Sequence, residues 1–126
     1  MSHKVTLSLS IKDKACLKRA CNALKITFQE GSHTVRQFTT YTPTEFSVQL
    51  PGWNYPVAIN LQSGEVVFDN YNGSWGDIKQ LHRLAQEYAL QVAESEASVQ
   101  DLLMRGYVAT RVSHANGQID LVIEKE

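Results

Sequence analysis

Residues 77–105 read DIKQLHRLAQEYALQVAESEASVQDLLMR, and this stretch decides the fold. Ile78, Leu81, Ala85, Tyr88, Val92, Val99 and Leu102 recur at three- and four-residue intervals, interrupted only at Ser95, which predicts a helix with one apolar side. The opposite positions, Gln80, Arg83, Glu87, Gln91, Glu94 and Asp101, are polar. Gly106 stands where a left-handed residue ends a helix, and Arg105 complements the negative end of its dipole. A straight helix of this length would extend roughly 43 Å at 1.5 Å per residue. A compact chain of 126 residues has a radius of gyration of only about 14 Å. The helix is therefore expected either to bend near residues 94–98, where Ser95 and Ser98 cluster, or to project and pack on another chain.

Working outward, residues 107–113 and 118–124 predict a β-hairpin across Asn116-Gly117, a strong two-residue turn signal. At the other end, residues 4–11 alternate, with Val5, Leu7, Leu9 and Ile11 on one face, as a half-buried strand does. Asp13 is placed to cap a helix over residues 14–24, whose stripe is Leu17, Ala20, Cys21 and Leu24. Between the helices, strands are expected at 34–41, 45–50, 57–61 and 65–70, with breaks at Pro43, Pro51-Gly52 and Ser63-Gly64. The sum is a single α+β domain over residues 1–126: an antiparallel sheet covered by two helices, in the order β-α-β-β-β-β-α-β-β.

Composition is that of an ordinary globular chain, 43% hydrophobic and 20% charged, which argues against disorder and fibrous repeats. No apolar run approaches the ~20 residues that cross a bilayer, and residues 1–10 alternate where a signal peptide would be apolar, so no membrane association and a cytoplasmic location are expected. Cys16 and Cys21 lie about 140° apart around one helix, too far to bridge. Two unpaired thiols suit a reducing compartment.

No metal, cofactor or catalytic motif is present. His3, His33, His82 and His114 lack ligand spacing, and Cys21 sits on an apolar stripe where a thiol is inert. Three surfaces remain as binding candidates. The segment from Asp69 to Asp77 carries Asn70, Tyr71, Asn72, Ser74, Trp75 and Asp77 at a helix start, where free backbone donors and aromatic faces suit a nucleotide or peptide terminus. The alternative there is structural, with Ser74 and Asp77 as a capping box and Trp75 closing the core. Trp53 and Tyr55, between prolines, would grip a partner if exposed or cover a sheet end if not. Lys14, Lys18, Arg19 and Lys25 line the first helix, a stripe that could track phosphates or simply be solvated.

Several motifs together carry a resemblance: Met1-Ser2-His3 before a strand ending Ile11-Lys12-Asp13, Phe68-Asp69-Asn70-Tyr71 leading to Ser74-Trp75-Gly76-Asp77, Gln86-Glu87-Tyr88-Ala89, Gly106-Tyr107, and the Asn116-Gly117 hairpin with Ile119, Leu121 and Ile123. On them, nearly the whole chain resembles a family of small uncharacterised proteins of cyanobacteria, chloroplast genomes and bacteriophages. The resemblance implies a fold and a setting, the host cytoplasm if phage-encoded, and no reaction. The expected function is a non-catalytic protein that binds, and in doing so inhibits, a host protein. The alternative is a nucleic-acid- or nucleotide-binding accessory protein. A homodimer is the default if the chain is not a monomer.

Overall fold

A computed structural model of the chain describes residues 4–115 and 119–125. Met1-Ser2-His3, the Asn116-Gly117 turn and Gln118 lie outside the described residues. Asp13 is extended (φ −94°, ψ 103°) and its carboxylate accepts from the Cys16 amide at 3.0 Å, so α1 (Lys14–Leu24) starts where the cap was expected. Leu17, Ala20 and Cys21 form its buried side, and Lys25 closes it in the left-handed region (φ 58°).

The strands are β1 (Lys4–Ser8), β2 (Thr27–Gln37), β3 (Thr40–Gln49), β4 (Val57–Asn60) and β5 (Glu65–Asp69). They form one antiparallel sheet in the order β1-β5-β4-β3-β2. Registers Phe28↔Val48, Val48↔Val57, Ile59↔Val66 and Phe68↔Val5 place these residues on one face, with Phe46 stacked on Phe28 at 5.3 Å. Most of that face is core: Phe46, Val48, Val57, Ile59, Val66 and Phe68 are all buried.

Three strand boundaries differ from expectation. β2 begins at Thr27 rather than residue 34, because Gly31 (φ 95°) and Ser32 form a bulge and not a break: Glu30 pairs with Phe46, then His33 with Thr44. Pro43 lies inside β3, opposite Thr34. The β3–β4 register covers only Ser47 and Val48, so at Pro43 the strand has a neighbour on one side, where a missing donor is tolerated. The expected strand 34–41 is instead split by a tight turn at Phe38 (φ 61°), secured by Thr40 Oγ1 donating to Gln37 O (2.9 Å) and Arg36 Nε donating to Phe38 O (2.9 Å).

The bulge has a large consequence. Two strands separate β2 from β5, yet Gln37 Nε2 donates to Val67 O (2.7 Å) and Pro56 O (3.2 Å), while Thr42 Oγ1 donates to Gln37 Oε1 (2.8 Å). The sheet curls, and the far half of the β2–β3 hairpin closes over β4 and β5. Gln37 is wholly buried with these bonds satisfied.

Gly64 (φ 78°) turns β4 into β5 while its carbonyl accepts from Leu9 N and Ile11 N; a Cβ there would stand 2.7 Å from Ser10 Cα. The predicted 29-residue helix breaks at Glu96 (ψ 142°) into α2 (Ile78–Ser95) and α3 (Ala97–Met104). Polar side chains take up the carbonyls freed at the break: Ser95 Oγ donates to Val92 O (2.8 Å) and Gln100 Nε2 to Glu94 O (2.6 Å). The buried stripe of α2 includes Leu81, Leu84 and Tyr88; Glu87, expected on the wet face, is buried too. Tyr88 Oη accepts from Lys12 N (3.1 Å) and Asp13 N (2.9 Å), tying α2 to the α1 start.

The expected domain over 1–126 gathers into two compact units, Met1–Tyr88 and Ala89–Glu126. The second unit contains the end of α2, α3 and a separate two-stranded sheet of β6 (Tyr107–Ser113) and β7 (Ile119–Lys125). Within it Arg111 Nε bonds Glu94 Oε1 at 2.7 Å, and the Lys125 ammonium lies 5.9 Å over the Tyr107 ring. Among the described residues after Leu90, none is buried.

Candidate functional site

The strand β5 delivers Asn70 into a sharp turn. Tyr71, Asn72 and Gly73 all adopt positive φ (47°, 52° and 97°), a run that two of the three side chains resist. Hydrogen bonds hold it: Asn70 O accepts from Gly73 N (3.0 Å) and Trp75 N (2.9 Å), and the buried Asp69 carboxylate accepts from Tyr71 N (3.2 Å). The turn lays the Tyr71 ring on Trp75, centroids 4.7 Å apart and 25° from parallel. Trp75, half-buried, also meets Phe38 at 4.9 Å and Tyr55 edge-on at 5.4 Å. Tyr71 remains 43% exposed at the end of this chain of rings.

Of the expected binding residues, Tyr55, Tyr71 and Trp75 thus come together. Trp53 does not join them. It is 5% exposed, its indole donates to Asp77 O (3.0 Å), and its ring meets Phe68 edge-on at 5.5 Å. Gly76 lies so close that a Cβ there would stand 2.4 Å from that ring. Trp53 and Tyr55 are therefore not an exposed pair. Asn70 is buried as well, its amide donating to Gly76 O (3.3 Å), whereas Asn72 and Ser74 are exposed.

Asp77 caps α2 by itself, accepting from Lys79 N at 2.9 Å; Ser74 donates its own amide to Tyr71 O and takes no part in a capping box. A carboxylate already fills the helix start, and Gly73, Ser74 and Trp75 have spent their amides on the turn. An anion finds little there.

Beside Tyr55 opens a cleft of about 630 Å³ under the curled hairpin. Gln29, Arg36, Ser47, Gln49 and Asn54 line it with amides, a hydroxyl and one guanidinium, and no carboxylate appears among its described lining residues. Such a surface offers donors and acceptors alike, as a peptide backbone requires.

The basic stripe is partly neutralised. Lys14 and Lys18 both reach Glu30, at 3.3 Å and 2.9 Å, and these two ammonium groups hold its carboxyl below the usual range. Arg19 Nη2 donates to Cys16 Sγ (3.1 Å), and Lys25 is exposed at the α1 end.

The structure also pairs His33 with Ser47, which the sequence did not suggest. Since a carbonyl only accepts, His33 Nδ1 donates to Gly31 O; in the neutral ring Nε2 then accepts from Ser47 Oγ at 2.7 Å. A serine bonded to a neutral imidazole can be a nucleophile, but Ser47 is 5% exposed and the pair clamps the bulge. Cys16 and Cys21 are free and buried, and burial pushes the Cys21 thiol up to about 11. Among the described residues no group of three His, Cys, Asp or Glu could hold a metal ion, and no helix is long and apolar enough to cross a membrane. Phe38 and the cleft amides were missed because nothing in their neighbours' spacing marks them; only the curl of the sheet assembles them. No family model, curated relative or solved structure matches the chain.

Proposed function

We propose that the chain is a non-catalytic binding protein of phage or cyanobacterial type that acts in the host cytoplasm by occupying a host protein, and so inhibits the system that protein serves. One observation carries this reading: Tyr71 stands 43% exposed on Trp75, held there by consecutive left-handed residues. Strain of about 1–3 kcal/mol at each such residue persists where the surroundings over-determine it, and it concentrates at binding sites. A packing aromatic would need no such turn. Rigid, half-exposed tyrosine and tryptophan rings are the usual anchors of protein interfaces. The adjoining cleft of amides and hydroxyls suits polypeptide better than phosphate, and two of the four stripe cations, Lys14 and Lys18, already share Glu30.

The test is a photo-crosslinking phenylalanine in place of Tyr71, irradiated in host lysate. The expected adduct is a protein that survives nuclease and high salt and is lost on Trp75→Ala in a chain whose circular dichroism is unchanged. Crosslinking to nucleic acid, with a salt-sensitive mobility shift, would establish the accessory-protein alternative instead.

A further inference from the structure

The second compact unit ends in a sheet of two strands, and a lone two-stranded sheet is marginal in water. Each outer edge carries a row of backbone groups without a strand partner. Register Tyr107↔Lys125, Ala109↔Ile123, Arg111↔Leu121 and Ser113↔Ile119 puts Tyr107, Ala109 and Arg111 on one face, where Arg111 meets Glu94. Val108, Thr110 and Val112 are on the other, the two valines 40% exposed each.

The two edges differ in whether they can pair with themselves. A two-fold axis at Val122 of β7 would set Asp120 opposite Glu124, like charge against like. An axis at Thr110 of β6 pairs all seven residues, Tyr107–Ser113, antiparallel. Val108 then faces Val112 of the second copy, Thr110 faces Thr110, and Ala109 faces Arg111. These are β-branched pairs with no like charges opposed. Moving the axis one step to Arg111 would set that guanidinium against itself.

We propose that β6 is a self-association edge: two copies of this chain pair antiparallel about Thr110, giving a four-stranded sheet in the order β7-β6-β6-β7. This inference is independent of the Tyr71 and Trp75 site.

The test is sedimentation of the full chain with two double variants. Wild type is expected at twice the 14.1 kDa chain mass. Val108→Lys with Val112→Lys puts cation against cation at both symmetric pairs and should weaken the dimer about tenfold or more. Val108→Lys with Val112→Glu puts cation against anion and should restore it. Within one strand these positions are about 13 Å apart, so rescue can arise only between copies. Both side chains are partly solvated, and circular dichroism confirms that each variant folds. A wild type that is monomeric at every concentration overturns the proposal, and so do double variants that behave alike.

Discussion

Two hairpins in this chain invert one another. The β6–β7 pair has an Asn-Gly signal and regular alternation in its text, yet none of its described residues is buried. The β2–β3 pair has a proline inside a strand, a bulge, and a turn at Phe38 without glycine, proline or asparagine, yet it carries Phe46, Val48, Val35 and Gln37 into the core. Local code and burial are separate sources of order. The first hairpin is written locally and lacks cover; the second is unreadable locally and is held by what it touches.

The most severe way to break that contrast is Phe46→Ala. Phe46 is wholly buried and stacked on Phe28, so truncation should cost about 3–5 kcal/mol by denaturant unfolding. A loss under 1 kcal/mol would mean that the hairpin is not the core element described. Next comes Gln37→Leu, which strands the Thr42 hydroxyl and removes the bonds to Val67 and Pro56; a destabilisation of about 1–3 kcal/mol is expected. It should also free the Phe38 turn, seen as a shift in Trp75 fluorescence.

A smaller effect sharpens the local side. Asp13→Ala removes the α1 cap and should cost about 1 kcal/mol at neutral pH. The Cys16 amide bond, chiefly, holds the Asp13 carboxyl below 3.8. A carboxyl lowered in the folded state stabilises above its unfolded value and loses that contribution as pH falls through the folded one. The gap between wild type and Asp13→Ala should therefore be full at pH 7 and close well below pH 3.8. The smallest effect belongs to the uncovered hairpin: Val108→Ala, at a 40% exposed position, should move monomer stability by no more than about 0.5 kcal/mol.

What the sequence made legible follows the same division. Asp13 as cap, the turns at Pro51-Gly52 and Ser63-Gly64, the glycine after α3 and the weakness near Ser95 were all readable, because each acts through its own backbone. The start of β2, Pro43 within β3, the turn at Phe38 and buried Glu87 were not. Their placement depends on curl, on which strand lacks a neighbour, and on partners 15 to 30 residues away, as Thr44 with Ile59 and Gln37 with Val67 show. The site divides likewise. Tyr71 and Trp75 are close in sequence and were found together, while Phe38 reaches Trp75 only through the folded sheet, and Trp53, a neighbour of Tyr55, turns inward.

Hydrogen exchange read residue by residue at several protein concentrations tests the contrast most directly. Amides of β2 and β3 should be protected equally at all concentrations, while those of β6 and β7 should gain protection as concentration rises and a second copy covers the edge. Hairpin amides as protected as those of β3 at the lowest concentration would contradict the account, because β6–β7 would then be complete by itself.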